Sequence, residues 1–74
     1  MPATKRAPSA ARKTFGARLR EERRKRELTL EDVAEISDIS WSYIAQVERG
    51  TRNIGIDNMA ALADAVGVPL RDLL

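Results

Sequence analysis

The twenty-two residues from Thr29 to Gly50 (TLEDVAEISDISWSYIAQVERG) carry three helix-punctuation signals so close together that only short helices fit between them. Thr29 is followed three positions on by Asp32, so the hydroxyl and the carboxylate can each accept a first-turn backbone N–H, as in a capping box. Glu31 and Asp32 also put negative charge at the positive end of the helix dipole. Ser40 is a second cap, and Gly50 is a stop of the kind that ends helices in the left-handed conformation. The pattern predicts a helix ending near Ser37, a three-residue turn at Asp38-Ile39-Ser40, and a second helix from Trp41 through Arg49. Asp38 suits the turn because aspartate tolerates left-handed backbone better than most residues. Val33, Ile39, Ile44 and Val47 plug the interior, and the small Ala34 lies where the two helices must cross closely.

The flanks are also helical in pattern. Phe15 and Leu19 share one face of a helix that runs to about Arg26, and Leu28 packs as the chain turns. Thr14 is the expected start, with Ser9 as an alternative cap for a longer helix through Ala10 to Lys13. Met59, Leu62, Ala63 and Val66 repeat at i, i+3, i+4 and i+7, predicting a fourth helix from Ile56 or Asp57 that Gly67 stops. Pro69 opens a short fifth helix carrying Leu70, Leu73 and Leu74. No stretch alternates as a strand would. The expected fold is all-α, a compact five-helix domain over residues 14–74 with a helix-turn-helix at about 30–49. Residues 1–13, with two prolines and four basic side chains, are expected to form a flexible basic arm.

At 74 residues the chain holds one domain near the lower size limit for a single core. It has no cysteine and no histidine. Disulfides, most zinc sites and the common nucleophile–base pairs therefore cannot be assembled, and neither an enzyme nor a cofactor is expected. No apolar run approaches a membrane span or a signal peptide, so a cytoplasmic module is expected. The net charge of +2 conceals a strong asymmetry: residues 1–29 hold ten Lys/Arg against three acids, and residues 30–74 hold three against eight. Such a basic end either attracts a polyanion or forms a solvated helix face.

Two short helices around a three-residue turn have the spacing of a DNA-binding helix-turn-helix, in which the first braces and the second enters the major groove. A hairpin of this size also serves simple packing. At these residues, however, the chain resembles the lambda-repressor-like (Xre/Cro) helix-turn-helix family over residues 15–74. The matching pieces are Phe15-Gly16 with Leu19, Arg20 and Arg23, then Thr29 with Val33-Ala34. Ser42-Tyr43-Ile44, Glu48-Arg49-Gly50, Arg52-Asn53, Leu62-Ala63, Gly67-Val68 and Leu73-Leu74 follow. The short length and the SYI…VERGTRN string are most similar to the controller proteins of restriction–modification systems.

The resemblance implies a homodimeric transcriptional regulator that binds a roughly palindromic site in double-stranded DNA, with no small-molecule ligand. It places Trp41, Ser42, Gln46 and Arg52 on base edges, and Thr29, Tyr43, Arg49 and Asn53 on the DNA backbone. Tyr43 either reaches phosphate or packs on its own domain. Arg23 and Glu48 are implied to form a structural salt bridge between the first helix and the reading helix. Leu70, Leu73 and Leu74 are expected either to form the dimer surface or to close the monomer core. Three departures from the family pattern stand out: Leu30 where glutamine often touches DNA, Asp38 in place of a turn glycine, and Trp41 where arginine or glutamine often reads a base. Rival readings are an antitoxin that also binds a toxin, and an interaction module using Trp41 and Ile36.

Overall fold

A computed structural model describes residues 9–74. It contains four α-helices, α1 (Ala10–Lys25), α2 (Leu30–Ser37), α3 (Trp41–Glu48) and α4 (Ile56–Ala65), followed by a single 3₁₀ turn at Leu70–Leu73. The expected fifth helix is therefore only that 3₁₀ turn, because four residues between Pro69 and Leu74 allow little more than one turn. The first helix starts earlier than Thr14. Ser9 caps it by accepting the Arg12 N–H, so Ala10 to Lys13 are helical rather than part of an arm. The remainder of the expected arm, residues 1–8, lies outside the described residues.

The core is one cluster drawn from every helix: Phe15 and Leu19 of α1, Val33 of α2, Ile44 and Val47 of α3, Leu62, Ala63 and Val66 from the α4 region, and Leu73 of the 3₁₀ turn. Leu73 is fully buried, so it closes the monomer core and is not available to a second copy. That corrects its expected place on the dimer surface. Leu74, next in the chain, is 56% exposed. A 3₁₀ turn has three residues per turn, so adjacent leucines point about a third of a turn apart and only one of them meets the core.

Three helices end in one way. After α1, α3 and α4, a residue in the left-handed region donates its N–H to the carbonyl three back, and the next residue donates to the carbonyl five back. Gly50 and Gly67 fill that position after α3 and α4, but after α1 it is Glu27, at φ 54°. Nothing in the sequence signalled a non-glycine residue there.

Two features lock α1 against the C-terminal end of α3. Gly16 is buried directly under the last turn of α3, where a β-carbon would collide with the backbone oxygens of Val47 and Glu48. Two turns along α1, the Arg23 guanidinium meets the Glu48 carboxylate in a forked pair, Nε to Oε2 at 2.8 Å and Nη2 to Oε1 at 2.9 Å. Arg23 Nη1 also donates to the Leu28 carbonyl at 2.9 Å, so the same side chain ties down the α1–α2 connection. Their side chains are 12% and 6% exposed, well inside the regime where stranding one charge is costly.

Glu48→Ala should therefore lower stability by roughly 3–5 kcal/mol, whereas Arg23→Met/Glu48→Leu should recover much of that loss; thermal melts of the two variants provide the check. A melting temperature for Glu48→Ala equal to wild type would refute the structural role. Glu27→Gly, which relieves left-handed strain, should stabilise by about 0.5–1 kcal/mol and raise the melting temperature by several degrees.

Candidate nucleic-acid interface

With Ile44 and Val47 turned into the core, α3 presents the opposite side outward. Its N-terminus is set by Ser40, whose Oγ accepts the Tyr43 N–H at 3.3 Å and whose carbonyl accepts the Ile44 N–H at 3.1 Å. Trp41, Ser42 and Arg49 are exposed, and Ala45 and Gln46 are half-buried between them. Trp41 keeps more than half of its surface in solvent, as does Ile36 on α2. For a large apolar ring this is an uncommon position unless something covers it.

The loop after α3 is pinned at its start. Thr51 donates both its N–H and its hydroxyl to the Gln46 carbonyl, each at 3.1 Å. One residue on, the Arg52 guanidinium carbon lies 4.7 Å from the centre of the Tyr43 ring, in cation–π geometry. Tyr43 is itself half-buried and packs against the core, so the side of the ring that faces out is the side Arg52 covers. Tyr43 and Arg52, read separately in the sequence, are thus one unit. Asn53 is exposed beside them in the chain.

At the start of α2 the capping box is complete. Thr29 Oγ1 accepts the Asp32 N–H at 3.0 Å, and Asp32 Oδ2 accepts the Thr29 N–H at 2.9 Å. The Thr29 amide is therefore already used. The first-turn N–H groups without an intrahelical partner are those of Leu30 and Glu31, which shifts any anion contact at this end one residue along.

The basic end of the chain is partly neutralised within α1. Arg26 bonds Glu22 at 2.8 Å, and Lys25 bridges Glu21 and Glu22 at 3.3 and 3.2 Å. Hydrogen bonds from Arg26 and Lys25 hold the Glu22 carboxyl below the usual carboxylate range, and donating to Glu22 and Glu21 pushes the Lys25 ammonium up. Together with Arg23, three of the basic side chains are spent on internal pairs. Among the described residues Lys13, Arg20 and Arg24 make no ion pair, and their spacing of seven and four residues sets them on one side of α1. Arg20 lines a shallow groove with Ala45, Glu48 and Arg49 of α3. This part of the unpaired charge borders α3, while Arg12 and Arg18, also without an ion pair, lie elsewhere around α1.

A second groove is lined by the apolar Phe15 of α1, Ile54, Met59 of α4 and Leu74, with Ser9, Arg12 and Asn53 at its polar margin. Ile56, at the start of α4, is 63% exposed. Leu70 is half-buried against the core. No helix among the described residues is long and apolar enough to cross a membrane, and no group of His, Cys, Asp or Glu is placed to hold a metal.

This architecture has counterparts. A family model described as helix-turn-helix matches residues 19–73. Control protein C.BamHI of Bacillus amyloliquefaciens is 39% identical over 61 residues, which cover 81% of this chain and 75% of that protein. The HTH-type transcriptional regulator DdrOP3 of Deinococcus deserti is 40% identical over 57 residues, covering 77% of this chain but only 44% of the regulator. Among solved structures, the restriction-modification controller protein C.AhdI from Aeromonas hydrophila superimposes with a TM-score of 0.84 at 39% identity, covering 89% of this chain and all of that one. With the capped helix pair, the clamped α3 and the matched length taken together, the chain belongs to the Xre/Cro-like helix-turn-helix family.

Proposed function

We propose that this protein is a sequence-specific DNA-binding transcriptional regulator that acts as a homodimer on a roughly palindromic operator. The observation that carries the reading is the open face of α3, with Ser42, Gln46 and Arg49 outward and unpaired basic charge along its border. A helix held rigidly from behind and left bare in front has the form a major-groove reader needs. Two relatives matched at 39% identity over three-quarters or more of their own length, C.BamHI and C.AhdI, are named as a control protein and a restriction-modification controller protein. That favours control of a restriction–modification system, in the cytoplasm with the DNA, over an antitoxin or a pure interaction module.

Ser42 and Gln46 are assigned to base edges, Gln46 through the paired hydrogen bonds its amide makes with adenine. Trp41 supplies apolar contact to thymine methyl groups or sugars and cannot replace the forked hydrogen bonds of an arginine. Arg49 and Asn53 are assigned to phosphates, which also meet the free N–H groups at the start of α2. Arg52 is assigned to a base edge. For the dimer surface, Leu74 is kept, Leu70 becomes peripheral, Leu73 is removed, and Ile56 is added as the most exposed large apolar side chain.

Selection from a random-sequence duplex pool, with the mass of the complex measured, tests the proposal. The expected result is two copies per duplex, half-sites about one helical turn apart, and affinity that falls steeply with salt. Gln46→Ala should lose roughly 1–3 kcal/mol against the preferred base pair at one position per half-site and little elsewhere. An absence of binding to any duplex, even at low salt, would overturn the proposal.

A further inference from the structure

The geometry points to Tyr43 as a positioning residue for Arg52: the tyrosine ring is a platform that holds the guanidinium flat beside the reading helix, so that the two side chains address one base as a unit. This rests on the DNA-binding reading and deepens it.

The ring is held at its backbone and at its inner side. Ser40 Oγ accepts the Tyr43 N–H, the inner side of the ring packs on the core, and an open groove shared with Asp38, Ile39 and Asn58 lies beside it. The arginine is fixed at the other end, because Thr51 is bonded twice to the Gln46 carbonyl. Only the arginine side chain itself is left to be ordered, and a long flexible side chain loses considerable rotamer entropy when it binds. A stack on an aromatic face confines the guanidinium before DNA arrives. It does so without a hydrogen bond to any acceptor, since the attraction is between the cation and the ring's π-face, 4.7 Å away. An ion pair would spend one donor edge of the guanidinium on the carboxylate, whereas the stack spends none. Among the described residues Arg52 makes no ion pair, in contrast to Arg23, Lys25 and Arg26. The platform thus explains how an exposed arginine in a loop keeps a defined direction while all its hydrogen-bonding capacity stays unspent. A guanine, read at O6 and N7 by the guanidinium fork, is the base this arrangement suits.

Two measurements test the inference. In the free protein, ring current from Tyr43 should shift the Arg52 Cδ protons upfield in NMR spectra; Tyr43→Phe should keep the shift and Tyr43→Leu should abolish it. On the duplex recovered by wild-type selection, Tyr43→Leu should weaken binding about fivefold, Tyr43→Phe much less, and Tyr43→Leu should cost almost nothing in the Arg52→Ala background. Arg52→Lys, which folds independently of any change at the ring, should lose preference for the guanine while keeping most of the salt dependence. An equal loss from Tyr43→Leu with and without Arg52 would overturn the inference, as would a Tyr43→Phe loss as large as that of Tyr43→Leu, since the hydroxyl would then be the contact. Failure of the wild type to select any duplex would instead sink the DNA-binding reading and leave the free-protein measurement to decide the stack.

Discussion

The close seating of α1 on the end of α3 is the constraint from which the remaining geometry follows. Gly16 removes the side chain that would hold the two backbones apart, and Arg23 reaches over the same junction to grip Glu48. The forked pair fixes the rotation of α3 about its axis as well as its distance from α1, because both guanidinium edges must meet both carboxylate oxygens. With that rotation set, Ile44 and Val47 point inward, and Ser42 and Arg49 have no option but to point out. The salt bridge thus orients the helix, and its net contribution to stability is less important than the single arrangement it permits.

Charge is organised around the same junction. Glu48 cancels Arg23, and Glu21 and Glu22 absorb Lys25 and Arg26, so the basic end of the chain is quieter on its outer side than its composition suggests. Of the side chains of α1 that make no ion pair, Lys13, Arg20 and Arg24 share the side of the helix beside α3, while Arg12 and Arg18 lie elsewhere around it. The exposed α3 carries no basic side chain before Arg49, and a neighbouring helix supplies what it lacks.

Much of this was legible in the residues. The caps at Thr29 and Ser40 and the glycine at Gly50 bounded α2 and α3 within a residue, because capping is a local reaction between a side chain and the N–H groups three positions on. Asp38 was correctly read as left-handed, at φ 59°, since the turn it occupies is only three residues long. The periodicity of Met59, Leu62, Ala63 and Val66 located α4 for the same reason: a helix face is written in the spacing. Other features were not local. The choice between Ser9 and Thr14 as the first cap depended on whether α1's first turn has anything to pack on; Lys13 lies directly against Gly50. Glu27 in a position that glycine usually fills follows from the need to turn the chain back under Arg23.

By itself the sequence determined α2, α3 and α4 with their ends, the apolar stripe of each and the two partners of the interior salt bridge, because these rest on spacing along one chain or on a family pattern carried residue by residue. Only the tertiary structure decided that Leu73 is interior while Leu74 is not, since which of two adjacent leucines meets the core depends on how the last turn docks against α1 and α4. It alone decided that Tyr43 and Arg52, nine positions apart, share one stack. A spacing of nine across a helix end and a loop has no fixed geometry in sequence; it acquires one when Gly50 reverses the chain and Thr51 pins the loop to Gln46.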